Sequence, residues 1–157
     1  VADYLNTGIE VQYDLEFFDT PTVQECTIQG DERLLRRAVR NLIDNAMRHN
    51  GEGCKIALSL DVEPSSMLAL TVADNGRGCD TSRIGALMAQ ASTPDASYDA
   101  HGLGLTLVSR ISIMHGGYVS FASEPGRGFT ATMRIPVAMP QSEPTRPEQR
   151  ESQANVR

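Results

Sequence analysis

The stretch RNLIDNAMRH, residues 40–49, is the part of the sequence that best indicates how the chain folds. Apolar residues recur through and before it at helical spacing, which predicts a long helix with one buried stripe. Asp31 is suited to cap the start of this helix, and Asn50-Gly51 is suited to end it. The apolar stripe consists of Leu35, Ala38, Val39, Leu42 and Ala46.

Two amides and an arginine border this stripe. Asn41 and Asn45 lie one helical turn apart on the same edge of the helix, and Arg48 continues that edge. An amide oxygen in this position can ligate a hard cation such as Mg²⁺. When the spacing is taken alone, two surface amides and a solvated arginine are the commoner interpretation.

The segment DNGRG, residues 74–78, places a carboxylate at the end of a predicted strand and follows it with a flexible turn. Asp74 can accept a hydrogen bond from an exocyclic amine, which distinguishes adenine from guanine. Gly76 and Gly78 allow the backbone to turn sharply and to lie close to a ring. An ordinary Asp-Asn-Gly turn has the same residues, so this segment alone does not decide between the two interpretations.

The segment HGLGL, residues 101–105, opens a second predicted helix. Free N–H groups and the positive end of the helix dipole suit phosphate oxygens there, and Gly102 and Gly104 leave room for them. The segment is neither a P-loop nor a dinucleotide fingerprint, because the residues that define those motifs are missing. Glycines that merely allow close helix packing are the alternative. Taken together, the three segments predict a nucleotide pocket.

The three histidines have different predicted roles. His101 precedes the phosphate-facing glycines and is a candidate phosphate contact, and His49 is a candidate contact to base or ribose. His115 ends the second helix, where it complements the helix dipole. No triad or metal-ligand spacing links the three, and none is expected to accept a phosphoryl group.

Hydrophobic periodicity predicts the remaining elements. The predicted strands cover residues 9–17, 23–28, 56–62, 68–72, 118–123 and 129–135. The predicted helices are the one that ends near Gly51, a short one around residues 84–88, and the one from residues 101–105 to Gly116-Gly117. A mobile segment is predicted before residue 100. Residues 139–157 are mainly polar without an apolar period, so they are predicted to form a disordered tail.

This element order predicts an α+β fold with two layers, a mixed and mostly antiparallel sheet with helices on one face. At 157 residues and 17.1 kDa, the chain suits one domain, which we place at residues 1–138. The net charge of -6 argues against a nucleic-acid partner. The three cysteines form no CxxC pair and suggest a reducing compartment. The start at Val1 and the lack of a membrane-spanning run suggest an excised soluble piece of a longer protein.

In order and spacing these segments resemble the ATP-binding catalytic domain of bacterial two-component sensor histidine kinases, in the wider family of gyrase, Hsp90 and MutL. GDERLLRRAVRNLIDNAMRHN is similar to the N box, DNGRG to the G1 box and HGLGL to the G2 box. HGGYVSFASEPGRGFTATMRIP is similar to the closing hairpin. The resemblance covers roughly residues 9–136 and implies the Bergerat ATP-binding fold, a two-layer α/β sandwich.

The resemblance also implies roles for individual residues. Asn45 would ligate Mg²⁺, and Asp74 would bind the adenine amine. Asn41 and Arg48 would act on the phosphate and metal region and are the implied catalytic residues. The other implied nucleotide contacts are His49, Gly76, Gly78, His101, Gly102, Leu103, Gly104 and Leu105. Residues 79–100 would form the mobile ATP lid.

The resemblance implies a protein-histidine kinase that uses ATP and Mg²⁺. Its γ-phosphate would pass to a histidine on a dimerisation domain outside this chain, and then to a response regulator. The full-length protein would be a homodimer anchored in the bacterial inner membrane, with this domain in the cytoplasm. Asn41 stands where the ATPase branch carries Glu, which favours phosphoryl transfer over hydrolysis. The alternatives are an ATP-driven conformational ATPase of the same fold and a non-catalytic interaction domain.

Overall fold

A computed structural model of the chain describes residues 14–24, 26–51, 53–92 and 103–138. The strands in this part are β1 (Asp14–Asp19), β2 (Lys55–Glu63), β3 (Met67–Asp74), β4 (Tyr118–Ser123) and β5 (Phe129–Pro136). The helices are α1 (Pro21–Gln24), α2 (Glu32–His49), α3 (Thr81–Ser92) and α4 (Leu103–Met114). The two hairpins, the two long helices and the short helix between them are therefore confirmed.

The strands form a single sheet in the order β1-β2-β3-β5-β4. β1 pairs with β2 in parallel, because α2 carries the chain back across the sheet between them, and the other three pairings are antiparallel. This arrangement confirms the predicted mixed, mostly antiparallel sheet.

The core lies between one face of the sheet and the two long helices. Buried residues alternate with more exposed ones along β5, where Ala131, Met133 and Ile135 face the helices. Leu42 of α2 and Val108 of α4 meet this face and are almost completely buried. The two-layer prediction is therefore confirmed, with the helices on one face.

The ends of the long helices are defined by the residues that the sequence indicated. Asp31 caps α2, since its Oδ1 accepts hydrogen bonds from the N–H groups of Arg33 and Leu34 at 2.8 and 3.1 Å. After α4, Gly116 has a φ of +73°, and the N–H of Gly117 donates to the Ser112 carbonyl at 2.8 Å. This pattern is a Schellman motif, which ends the helix sharply.

The predicted strand at residues 23–28 is wrong. The chain instead forms the short helix α1, and Ile28 alone makes an isolated antiparallel bridge with Val137. Pro21 fixes a helical φ at the first position, and the N–H of Val23 donates to the Thr20 carbonyl at 3.0 Å. Local turn geometry therefore prevails over the weak alternation.

Several predictions fall outside the described residues: the strand at residues 9–13, the segment at 93–100, His101, Gly102 and the tail at 139–157. Within the described part, no helix has the length and apolar character needed to cross a bilayer.

Candidate functional site

A cavity of about 300 Å³ opens between the C-terminal half of α2, the turn after β3 and the starts of α3, α4 and β5. The predicted site residues that line it are Asn41, Asn45, Arg48, His49, Asp74, Gly78, Gly104 and Leu105. The structure therefore brings residues of all three sequence segments to one place.

Asp74 joins two strands at one end of this cavity. Its Oδ1 accepts hydrogen bonds from the N–H groups of Gly76 at 2.9 Å and Phe129 at 3.2 Å. These bonds tie the end of β3 to the start of β5. Because Oδ1 is engaged by the backbone, Oδ2 is the oxygen that can accept a hydrogen bond from a ligand.

The glycines of the turn allow it to pack closely against its neighbours. Gly78 has a φ of +61°, and a Cβ atom there would lie 2.1 Å from the Glu124 carbonyl oxygen. A Cβ atom on Gly76 would lie 1.6 Å from Oδ1 of Asn50. Gly78 borders the cavity directly, whereas Gly76 shapes it by packing against Asn50, another residue of its lining.

The amide edge of α2 faces the start of α4. Nδ2 of Asn41 donates to the Arg37 carbonyl at 2.8 Å, which directs Oδ1 away from its own helix. A Cβ atom on Gly104 would lie 3.5 Å from that oxygen, an ordinary van der Waals separation, so the two helices are neighbours here. Asn45 lines the same cavity one turn further along α2.

The helix α4 begins at Leu103, and Gly104 and Leu105 of its first turn line the cavity. The first N–H groups of a helix lack partners within that helix and attract anions. This end of the cavity therefore suits phosphate, and the opposite end holds Asp74.

Three arginines and one carboxylate act on the pKa of His49. Burial lowers the pKa of His49 below its ordinary value of 6.5, and the guanidinium groups of Arg77 and Arg83 lower it further. Arg48 acts in the same direction, and the Asp74 carboxylate opposes them. The neutral imidazole is therefore favoured at neutral pH, where it can accept a hydrogen bond from a ligand as well as donate one.

We expect His49 to titrate below pH 6.5 in an NMR titration of the ligand-free chain. The unfolded chain then binds this proton more readily than the folded chain does, so protonation favours unfolding. The free energy of unfolding should rise with pH between the lowered pKa and about 6.5. His49→Gln should remove this part of the pH dependence. Urea titrations at several pH values measure this free energy. If it rises equally steeply with pH in parent and variant, the expectation is contradicted.

Several residues of the cavity lining were not assigned a role from the sequence: Asp44, Asn50, Arg77, Cys79, Arg83, Leu87 and Phe129. Asp44 and Asn50 belong to the same helical segment as the amides, and Arg77 lies within DNGRG, so proximity in sequence was an available signal. Phe129 reaches the cavity from β5 through tertiary structure, which no local motif reveals. His115 lies at the other end of α4, away from this lining.

The sequence matches the family described as "Histidine kinase-, DNA gyrase B-, and HSP90-like ATPase" over residues 30–139. It is 36% identical over 115 residues to the sensor protein BasS of Salmonella typhimurium, a match that covers 73% of this chain and 32% of that protein. The alginate biosynthesis sensor protein KinB of Pseudomonas aeruginosa is 34% identical over 110 residues, 70% of this chain and 18% of KinB. The chain thus spans a third or less of these relatives.

Solved structures show the same fold. The mycobacterial sensor histidine kinase MprB superposes with a TM-score of 0.67 at 23% identity, over 87% of this chain and 92% of that structure. Full-length ShkA in complex with AMPPNP gives a TM-score of 0.67 at 26% identity, over 83% of this chain and 27% of ShkA.

Proposed function

The chain belongs to the histidine kinase-, DNA gyrase B- and HSP90-like ATPase family, and from this we propose that it is the ATP-binding catalytic domain of a sensor histidine kinase. The observation that carries the proposal is the single cavity that holds Asp74 at one end and the start of α4 at the other. In this proposal the cavity binds adenine at the first end and phosphates at the second. The likeness to ShkA, which was crystallised with AMPPNP, supports an ATP ligand.

The base would be recognised by polarity and shape together. Oδ2 of Asp74 would accept a hydrogen bond from the adenine amine, and the N–H bonds to Oδ1 would hold the carboxylate in place. Leu87 and Phe129 supply apolar side chains along the same cavity. A flat aromatic ring with one amine edge therefore suits this end of the cavity.

The residues at the phosphate end fit a magnesium ion. Asn41 and Asn45 offer amide oxygens there, oxygen being the ligand type that Mg²⁺ prefers, and nucleotide phosphates and water would complete its coordination. We assign Asn45 as the protein ligand of the metal and Asn41 and Arg48 as residues of the phosphate region. Mg²⁺, when bound, would neutralise charge on the phosphates.

Asn41 favours phosphoryl transfer to a protein histidine over hydrolysis by water. Its Nδ2 donates to the Arg37 carbonyl, and an amide cannot act as the base that activates water. The acceptor histidine would belong to a dimerisation domain, and a response regulator would receive the phosphoryl group next. We extend the proposal to a homodimeric full-length protein anchored in the inner membrane with this domain in the cytoplasm.

Calorimetric titration of the chain with ADP and with a non-hydrolysable ATP analogue, with and without Mg²⁺, tests the proposal. We expect binding of both nucleotides and no measurable ATP turnover by this chain alone. Turnover would favour an ATP-driven conformational ATPase. Failure of the folded chain to bind either nucleotide would favour a non-catalytic interaction domain.

Asn45→Asp should change how nucleotide affinity depends on Mg²⁺. Without the metal, the new carboxylate repels the phosphates, and we expect an affinity for ADP about tenfold lower. With Mg²⁺ most of this loss should disappear, because a carboxylate is also a good magnesium ligand. Gln24→Glu, the same change from amide to carboxylate at an exposed position of α1, is the control. A shift of equal size in both variants would show that net charge, rather than metal ligation, is responsible.

A further inference from the structure

His115 makes a hydrogen bond with each of its ring nitrogens. Nδ1 lies 2.7 Å from the Ile111 carbonyl oxygen of its own helix, and that oxygen can only accept, so Nδ1 carries the proton. Nε2 accepts a hydrogen bond from the backbone N–H of Asp31 at 3.0 Å. The ring therefore has one tautomer, and it links the end of α4 to the start of α2.

The surroundings of His115 hold the ring in this position. The Schellman turn at Gly116 and Gly117 fixes the backbone directly after it. Gly30 lies against the ring, since a Cβ atom there would be 2.3 Å from Cδ2 of His115. No positive φ is required of Gly30, so this close approach is the structural reason for a glycine at that position.

The helices α2 and α4 are also neighbours at the cavity, where Gly104 lies next to Asn41. Asp31 and Asn41 are separated by about 15 Å along α2, at 1.5 Å per residue. Gly104 and His115 are separated by about 16 Å along α4 on the same basis. The bond between Asp31 and His115 and the contact between Asn41 and Gly104 are thus nearly equally spaced on the two antiparallel helices.

We propose that His115 is a positioning residue, which sets the axial register of α4 on α2 and thereby holds the phosphate-facing start of α4 opposite Asn41 and Asn45. This inference rests on the proposed function and adds to it a residue that contacts no nucleotide. Adenine recognition by Asp74 depends on β3 and β5 instead. Loss of the His115 bond should therefore weaken binding of phosphates and leave binding of the base unchanged.

His115→Phe keeps a ring but removes the acceptor, and His115→Gln offers an amide oxygen in place of Nε2. We expect the Phe variant to bind ADP about fivefold more weakly, with adenosine affinity unchanged and the Gln variant close to the parent. Gly30→Ala should reproduce the selective loss by displacing the ring. Equal losses for adenosine and ADP, or an unchanged ADP affinity in the Phe variant, would overturn the proposal.

NMR provides a test that needs neither a ligand nor a variant. The imidazole nitrogens of the parent chain should show a protonated Nδ1 and an unprotonated Nε2. A proton on Nε2 would exclude the bond to Asp31 and overturn the proposal.

A variant distinguishes failure of this inference from failure of the proposed function. If the parent binds no nucleotide, the proposed function fails, while the NMR signals of Gly104 and the Asn41 amide still report on the register of α4 on α2. They should shift in His115→Phe, and unchanged signals would overturn the inference.

Discussion

Asp74→Asn should lower the affinity of the chain for ADP by about 100-fold and leave the fold intact. An asparagine can keep its Oδ1 as the acceptor for the N–H groups of Gly76 and Phe129. Its Nδ2 then replaces Oδ2 and presents donors to the adenine amine, which is itself a donor. The charge-assisted hydrogen bond is lost, and two donors face each other in a partly buried pocket. Calorimetry with ADP measures the affinity, and urea unfolding measures the fold.

Asp61→Asn is the matched control for this variant. Asp61 also accepts a backbone hydrogen bond with its carboxylate, from the N–H of Val62 at 2.9 Å, but it lies on β2 outside the cavity lining. The substitution Asp61→Asn changes the net charge of the chain by the same amount as Asp74→Asn. We expect ADP affinity within about twofold of the parent. An Asp74→Asn chain that is folded and binds ADP as the parent does would rule out our assignment of the base end.

Gly128→Ala should be the most destabilising of the substitutions considered, with a loss of about 4 kcal/mol or more of unfolding free energy. Gly128 has a φ of +86°, and a Cβ atom there would lie 1.7 Å from the backbone carbonyl oxygen of Asp74. Backbone cannot yield as a flexible side chain can, so β5 would have to separate from the end of β3. The base end of the cavity would open as a result, and nucleotide binding should be lost with stability.

Gly126→Ala distinguishes the cost of the positive φ from the cost of the close contact with Asp74. Gly126 lies in the same turn with a φ of +76°, but a Cβ atom there has no neighbour within 4 Å. Only the conformational cost of a positive φ applies, about 1 kcal/mol. Urea unfolding of both variants measures the difference. Losses of similar size would show that φ, rather than the contact with Asp74, determines the need for glycine at position 128.

Local sequence patterns correctly predicted those features that depend on residues of a single helix or of one hairpin. Asn41 and Asn45 could be placed on one helix edge because a helix fixes the angle between positions four apart. The end of α4 could be placed because Gly116 supplies the left-handed residue that a Schellman motif needs. Alternation likewise placed both hairpins, since each strand pairs with a neighbour in sequence.

Contacts between distant elements could not be predicted in this way. Phe129 joins the cavity because β5 pairs with β3, and no feature of the sequence around residue 129 encodes that pairing. Neither ring contact of His115 was predicted, although its place at the helix end was. The incorrect strand at residues 23–28 has a local origin instead, because six residues of weak alternation do not outweigh a proline-initiated turn.

The two roles of Asp74 have a consequence for the evolution of resistance to inhibitors that bind this pocket. The carboxylate that we propose as the ligand contact also joins β3 to β5 through the N–H groups of Gly76 and Phe129. Substitutions that remove both oxygens would abolish inhibitor binding, but they would also leave two backbone donors without their acceptor. Asparagine preserves that acceptor, but it would weaken binding of the natural ligand as well as binding of the inhibitor. Few substitutions at position 74 could therefore give resistance to a compound that binds Asp74.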